Sequence, residues 1–282
     1  MNYKIVVDSC CELPEEYKKD ARFQIIPLGM EVGEYQVLDD EHFNQKEFLQ
    51  KVAAYPHCPK SSCPSPERYR EAYHCEAEEI YVITLSSHLS GSYNSAELGK
   101  KLYEEKYGEK YGEKKIHVID SESASCGETQ IAMQIMADKE AGLSFAETCE
   151  RAENFKLRMK TYFVLDNLET LRKNGRLTGV KALVASTLNI KPVMVGNRGV
   201  IEQKGQAIGI NKALAKMADH IVADVDNPQE RTLMITHCNR PERAEYMRSL
   251  MEKRASYRSV LIMDTAGISS MYANDGGIIV TL

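Results

Sequence analysis

Four apolar runs in the first half of this chain, "YKIVVDS", "FQIIPLGMEV", "EIYVITL" and "KIHVID", each give way to a polar stretch and then to a segment with helical periodicity. β-Branched and aromatic residues favour strands, and strands alternating with amphipathic helices build βαβ units around a mainly parallel sheet with flanking helices. In such sheets ligands bind at the carboxyl ends of the strands. That rule predicts one rim holding Asp8 and Ser9, Ser61 and Ser62, the stretch Thr84 to Ser92, and Asp120 with Ser121 and Ser123.

The texture changes after the amphipathic segment "SFAETCERAENFKLRMK". Beyond it come a strand ("TYFVLD"), a helix ending at Gly175, a helix over "RLTGVKALVASTLN", and a hairpin in "IKPVMVGNRGVIEQKG" centred on Asn197, Arg198 and Gly199. Further helices and strands follow, so the expected architecture is an N-terminal α/β domain over 1–157 and a C-terminal α+β domain over 158–282. With 36 basic and 41 acidic side chains the formal charge is −5, which offers no general attraction to nucleic acid or to an anionic membrane. No apolar run approaches the roughly 18 residues of a membrane span, and the first residues lack the pattern of a secretion signal. The chain is therefore expected in the cytoplasm, with its eight cysteines reduced.

"TLSSHLSGSYNSA", from Thr84 to Ala96, carries six serine or threonine hydroxyls in thirteen positions between a strand and a helix. Such residues cap helices and brace turns. A cluster of neutral donors at a helix N-terminus also suits a carboxylate or phosphate. A serine nucleophile is disfavoured: no Gly-x-Ser-x-Gly elbow is present, and His88 stands only two residues before Ser90. Asp8 and Asp120 suit turn bracing better than Mg²⁺ binding or base catalysis. The segment "HCPKSSC" with His74 and Cys75 lacks the paired half-sites of a zinc centre. "LRKNGR" reads as a basic helix end capped by Gly175, or as a surface where Arg172, Lys173 and Arg176 face a partner or an anionic group.

On "VVDSCCELP", "KSSCPSPERY", "TLSSHLSGSYNSA", "VIDSESASCGE", "LRKNGRLTG" and "KPVMV" with the following Gly199, in this order along nearly the whole chain, the sequence resembles the DegV family of bacterial fatty-acid-binding proteins. The resemblance implies an acyl chain held in a tunnel between or within the two domains. It implies that Ser61, where the family commonly has Thr, and Ser90 hold the ligand carboxylate. Ser62 takes the place of Ser61 if the register shifts by one, and Gly91 lets backbone approach the head group. It further implies a carrier with no catalytic residue, metal or cofactor, with a fatty acid kinase as partner and transient membrane contact. Two departures stand out. The family's His-x-Gly-Pro-Gly-like segment is replaced by "SSMYANDGGIIV", where Tyr272 or Asn274 stands in, and an Arg after the hairpin is missing around "QKGQAIGINKAL".

A fatty acid needs a few aimed donors and a deep apolar cavity. At ~0.8 kcal/mol per buried methylene, a tail of about sixteen carbons offers on the order of 12 kcal/mol of gross transfer free energy. Each hydrogen bond to the charged head contributes about 1.5–3 kcal/mol. The tail then sets affinity and the hydroxyls set orientation, and neutral donors ease release of the cargo. The rival reading is a small-molecule enzyme that uses the same Ser/Asp rim for a phosphorylated or carboxylated substrate.

Overall fold

The computed structural model describes residues 2–111, 114–177 and 189–282. The first part runs β1 (Tyr3–Asp8), α1 (Glu15–Lys18), β2 (Phe23–Ile26), β3 (Gly29–Val32), β4 (Tyr35–Leu38), α2 (Gln45–Ala54), β5 (Lys60–Ser62), α3 (Pro66–Tyr73), β6 (Glu79–Thr84), α4 (Ser92–Tyr111), β7 (Lys115–Asp120), α5 (Cys126–Glu140) and α6 (Phe145–Arg158). The remainder runs β8 (Thr161–Val164), α7 (Glu169–Lys173), β9 (Ile190–Asn197), β10 (Val200–Ile208), α8 (Ile210–Asp224), β11 (Thr232–His237), α9 (Pro241–Glu252), β12 (Ser259–Asp264), α10 (Gly267–Ala273) and β13 (Ile278–Thr281).

β1, β2, β6 and β7 form an all-parallel sheet in the order β2-β1-β6-β7. Side chains alternate across a strand, so the odd and even positions of these runs serve different cores. Ile5, Val7, Tyr81, Ile83 and Ile119 pack with Ile131 and Ala152 of α5 and α6. Val6, Ile80, Val82 and Val118 pack with Tyr69 and Tyr103 of α3 and α4. Burial on both faces is why these strands are apolar throughout rather than alternating.

"FQIIPLGMEV" is two strands, not one. β2 ends at Ile26, before Pro27, which lacks a backbone N–H for a ladder. β3 then starts a separate antiparallel sheet in the order β4-β3-β5. Ser61 and Ser62 consequently lie on β5 of this small sheet, and the expectation that placed them at the carboxyl ends of the parallel strands is corrected.

The other large sheet is mixed, in the order β10-β9-β8-β13-β11-β12. One face carries Tyr162, Val164, Val193 and Val195 against Leu214, Met217 and Met247 of α8 and α9. The opposite face carries Phe163, Met194 and Ile201. The expected hairpin is present: Asn197 pairs with Val200, and Arg198 and Gly199 between them have φ of 50° and 80°. Two successive positive values are the signature of a type I′ turn, which suits the twist of a two-residue hairpin. α6 opens with the capping box that its sequence encodes, Ser144 and Glu147 each accepting from the other's backbone N–H. Most of the helix expected in "RLTGVKALVASTLN" lies outside the described residues. Among the described residues no helix is long and apolar enough to cross a membrane.

Candidate functional site

Between the parallel sheet, the small sheet and the mixed sheet lies a cavity with about 860 Å³ of space not occupied by protein atoms, its mouth included. Leu28 and Leu85 line it from the first half of the chain, and Phe163, Leu165, Ile201 and Ile279 from the second. Besides Ser269, which meets the Cys10 thiol, its polar side chains gather at two places.

At one end Ser61, Ser90, Arg176 and Tyr272 line the wall. The Ser61 and Tyr272 hydroxyls are 2.9 Å apart. Burial holds the Tyr272 phenol above its usual pKa despite the lowering effects of Ser61 and Arg176, so it remains protonated and able to donate at neutral pH. The Arg176 guanidinium stands over the Tyr272 ring, 5.7 Å from its centroid, and its Nε donates to the Leu89 carbonyl at 3.1 Å. Ser90 stands beside Leu89, and its Oγ accepts from the Ser92 backbone N–H at 3.2 Å. At the other end the Ser123 and Thr161 hydroxyls bond each other at 2.6 Å, next to Glu122 and Gly196.

Local chemistry explains how Arg176 arrives there. α7 ends in a Schellman motif: Arg176 N–H donates to the Leu171 carbonyl at 2.8 Å and Gly175 N–H to Arg172 at 3.0 Å, with Gly175 at φ 75°. The left-handed residue reverses the chain and turns the next side chain back toward the cavity. Arg172, by contrast, is exposed and pairs with Glu169 at 2.7 Å. The cap reading of "LRKNGR" therefore holds for Gly175, and Arg176 adds a cation to the cavity lining beside the neutral hydroxyls.

Of the four residues expected at the site, the structure brings Ser61 and Ser90 to the cavity. Ser62 is exposed and its Oγ lies over Gly29, 2.5 Å from where a Cβ on that glycine would stand. Gly91 is exposed beside the Cys63 thiol and does not line the cavity. Of the two stand-ins near the C-terminus, Tyr272 faces the cavity, while the Asn274 side chain accepts from Thr170 Oγ1 at 3.4 Å.

Asp8 and Asp120 are engaged in bracing turns. Asp8 is fully buried and accepts from Cys10 N–H (3.1 Å), Leu85 N–H (2.8 Å) and Ser92 Oγ (2.5 Å). Asp120 accepts from the Ser87 and Glu122 N–H groups, both at 3.1 Å, and from the Ser87 hydroxyl. Most of the hydroxyl-rich stretch thus ties the turn together, and Ser90 is its serine that lines the cavity. His88 is exposed, with its ring against Gly199. The segment weighed for zinc is dispersed: Cys58 meets Asn174 and Cys63 meets Ser95. Among the described residues no group of three His, Cys, Asp or Glu side chains is placed to hold a metal ion.

The sequence from residue 2 to 280 matches the model of a family described as "Uncharacterised protein, DegV family". A DegV domain-containing protein of Streptococcus gordonii is 33% identical over 283 residues, covering 99% of this chain and 98% of that protein. Among solved structures, a DegV family protein from Ruminococcus gnavus, refined with vaccenic acid, is 53% identical with a TM-score of 0.96, covering 100% of this chain and 99% of that one. The Streptococcus pneumoniae fatty acid kinase (Fak) B3 protein, loaded with linoleic acid, is 28% identical with a TM-score of 0.86, covering 100% and 99%. With the whole length matched in sequence and in fold, this chain belongs to the DegV family.

Proposed function

We propose that the protein binds one long-chain fatty acid non-covalently and presents its carboxylate at the Ser61, Ser90, Tyr272 and Arg176 corner, acting as a carrier rather than a catalyst. The observation that carries this reading is the cavity itself: leucine, isoleucine and phenylalanine walls with donors of the right type gathered at one end. Acyl ligands in the R. gnavus and S. pneumoniae relatives support it. In this reading residues 1–157 supply Ser61 and Ser90, and residues 158–282 supply much of the acyl wall together with Arg176 and Tyr272. The rival enzyme asked Asp8 and Asp120 to act as bases or metal ligands, and both are occupied by turn donors.

A fatty acid kinase is the partner that suits an exposed carboxylate, as the name of the S. pneumoniae relative suggests. Loading would take place in transient contact with a membrane, and the eight free thiols suit a reducing cytoplasm. Mass spectrometry of the purified protein, native and then denatured, tests the reading. The expected result is a fatty acid at one-to-one stoichiometry, released on denaturation. Protein that is empty and takes up neither palmitate nor oleate would refute it.

A further inference from the structure

Gly196 of β9 pairs with Thr161 of β8 on one side and with Ile201 of β10 on the other. Thr161, Phe163 and Leu165 all line the cavity. Thr161 and Phe163 share one face of β8 and Leu165 follows just past its end, so at ~3.3 Å per residue the three form a wall about 13 Å long. At the Leu165 end this wall joins Ala273, next to Tyr272, in one buried cluster. At the Thr161 end it stops at the Ser123–Thr161 hydroxyl pair and Gly196. Outside that end is a separate small depression, lined by Glu122, Thr161 and Gly196 together with Lys156 and Arg198. The residues common to both form a thin wall between cavity and surface.

The backbone does not require glycine at this position. Gly196 is absent from the left-handed region that Gly199 and Gly209 occupy. A Cβ added to it would meet only Thr161, at 3.7 Å and 3.8 Å, which is ordinary contact. Gly267 differs, since a Cβ there would stand 2.4 Å from Met30 Cε. Strand alternation also gives the direction: Met194 and Phe163 share the cavity-side cluster, whereas Val195 and Tyr162 pack on the opposite face. Glycine in a strand interior forgoes packing and marks a place of close approach. Here the missing side chain leaves space at the end of an apolar cavity.

We infer that Gly196 sets the length of acyl chain the protein accepts, with the terminal methyl of the ligand lodged against Gly196 and Thr161. This rests on the fatty-acid reading above. A side chain at 196 would occupy the room of the last methylenes, and each methylene kept out lowers affinity roughly fourfold.

Gly196→Ala and Gly196→Val are compared with the unaltered protein by native mass spectrometry after incubation with equimolar decanoate, dodecanoate, tetradecanoate, hexadecanoate and octadecanoate. The ratio of bound octadecanoate to dodecanoate is expected to fall in steps, by about tenfold or more for valine if at least two methylenes are excluded. An unchanged ratio in folded variants that still bind would overturn the inference and leave the fatty-acid reading standing. If the unaltered protein takes up none of these acids, the fatty-acid reading fails and the length gauge fails with it. Should the valine variant not fold, the alanine variant decides alone, because its Cβ fits at van der Waals distance.

Discussion

The hydroxyls of Ser61 and Tyr272 meet at 2.9 Å although 211 positions separate them in the chain. The contact joins β5 of the small sheet to α10 and closes one end of the cavity. Two hydroxyls that bond each other have spare capacity, because each keeps lone pairs and only one proton is used between them. Both can therefore turn toward a carboxylate when one arrives. Ser61→Ala and Tyr272→Phe are each expected to weaken palmitate binding by about 1.5–3 kcal/mol, the worth of a hydrogen bond to a charged group. Titration calorimetry on the singles and the double variant checks this, with the double costing less than the sum because the partners share one ligand. Full affinity in both single variants would remove them from the head-group site.

Arg176 supplies the only cation among the described residues that line the cavity. Its charge should favour the ionised acid over an uncharged ligand with the same tail. Arg176→Gln is expected to reduce palmitate affinity by at least about tenfold while leaving hexadecanol binding nearly unchanged, since apolar burial is the same for both. Arg176→Lys should recover part of the loss, because it keeps the charge but not the planar fork that also holds the Leu89 carbonyl. Equal losses for acid and alcohol would show that Arg176 acts through packing alone.

Strand and helix order could be read from the sequence because β1, β6 and β7 are apolar on both faces and each gives way to a polar turn. The small sheet could not: β3 merged with β2 into one apolar run, and β4 and β5, four and three residues long with exposed positions on each, resemble loops. Ser61 and Ser90 were legible through motif resemblance, and geometry separates them from Ser62 and Gly91. Arg176 was visible as a basic residue after a cap glycine, but its direction depends on the reversal at Gly175, which composition does not report. Tyr272 faces the cavity because α10 is fixed to the first half of the chain, and the residue that fixes it, Asp39, lies more than two hundred positions away.

Asp39 accepts from the Gly267 N–H at 2.7 Å and the Ile268 N–H at 2.8 Å, capping the N-terminus of α10 from another part of the chain. It is buried, as are the two amides it satisfies. Asp39→Ala leaves both donors unpaired, at ~1–3 kcal/mol for each buried group. The variant is expected to lose at least about 2 kcal/mol of stability, and to bind palmitate more weakly because Tyr272 is carried by the same helix. Gly267→Ala should act in the same direction, since its Cβ would stand 2.7 Å from Asp39 Oδ1. Urea denaturation with a parallel binding titration checks both. Lost stability with unchanged affinity would show that α10 positions Tyr272 without this cap.

Glu12 is buried, with Oε1 accepting from the Ala266 N–H at 3.3 Å and Oε2 without a hydrogen-bond partner among the described residues. Loss of hydration raises its pKa from 4.5 to about 8, against the opposing effects of the Ser125 and Ser269 hydroxyls and the Ala266 amide. Buried Glu128 is held protonated in the same way, and Asp39 is raised to about 6. Between 4.5 and 8 the folded protein keeps a proton on Glu12 that the unfolded chain has released. Stability must therefore fall as pH rises through this window, and the contribution levels off above it. Glu12→Gln keeps the neutral shape and removes the titration. The variant is expected to lose less stability than the unaltered protein on going from mildly acidic to mildly alkaline buffer, while the residual slope reports the other shifted groups, Asp8, Asp39, Glu128 and His237 among them. Denaturant midpoints measured across that range decide the matter, and identical slopes for the two proteins would show that Glu12 is already ionised in the fold.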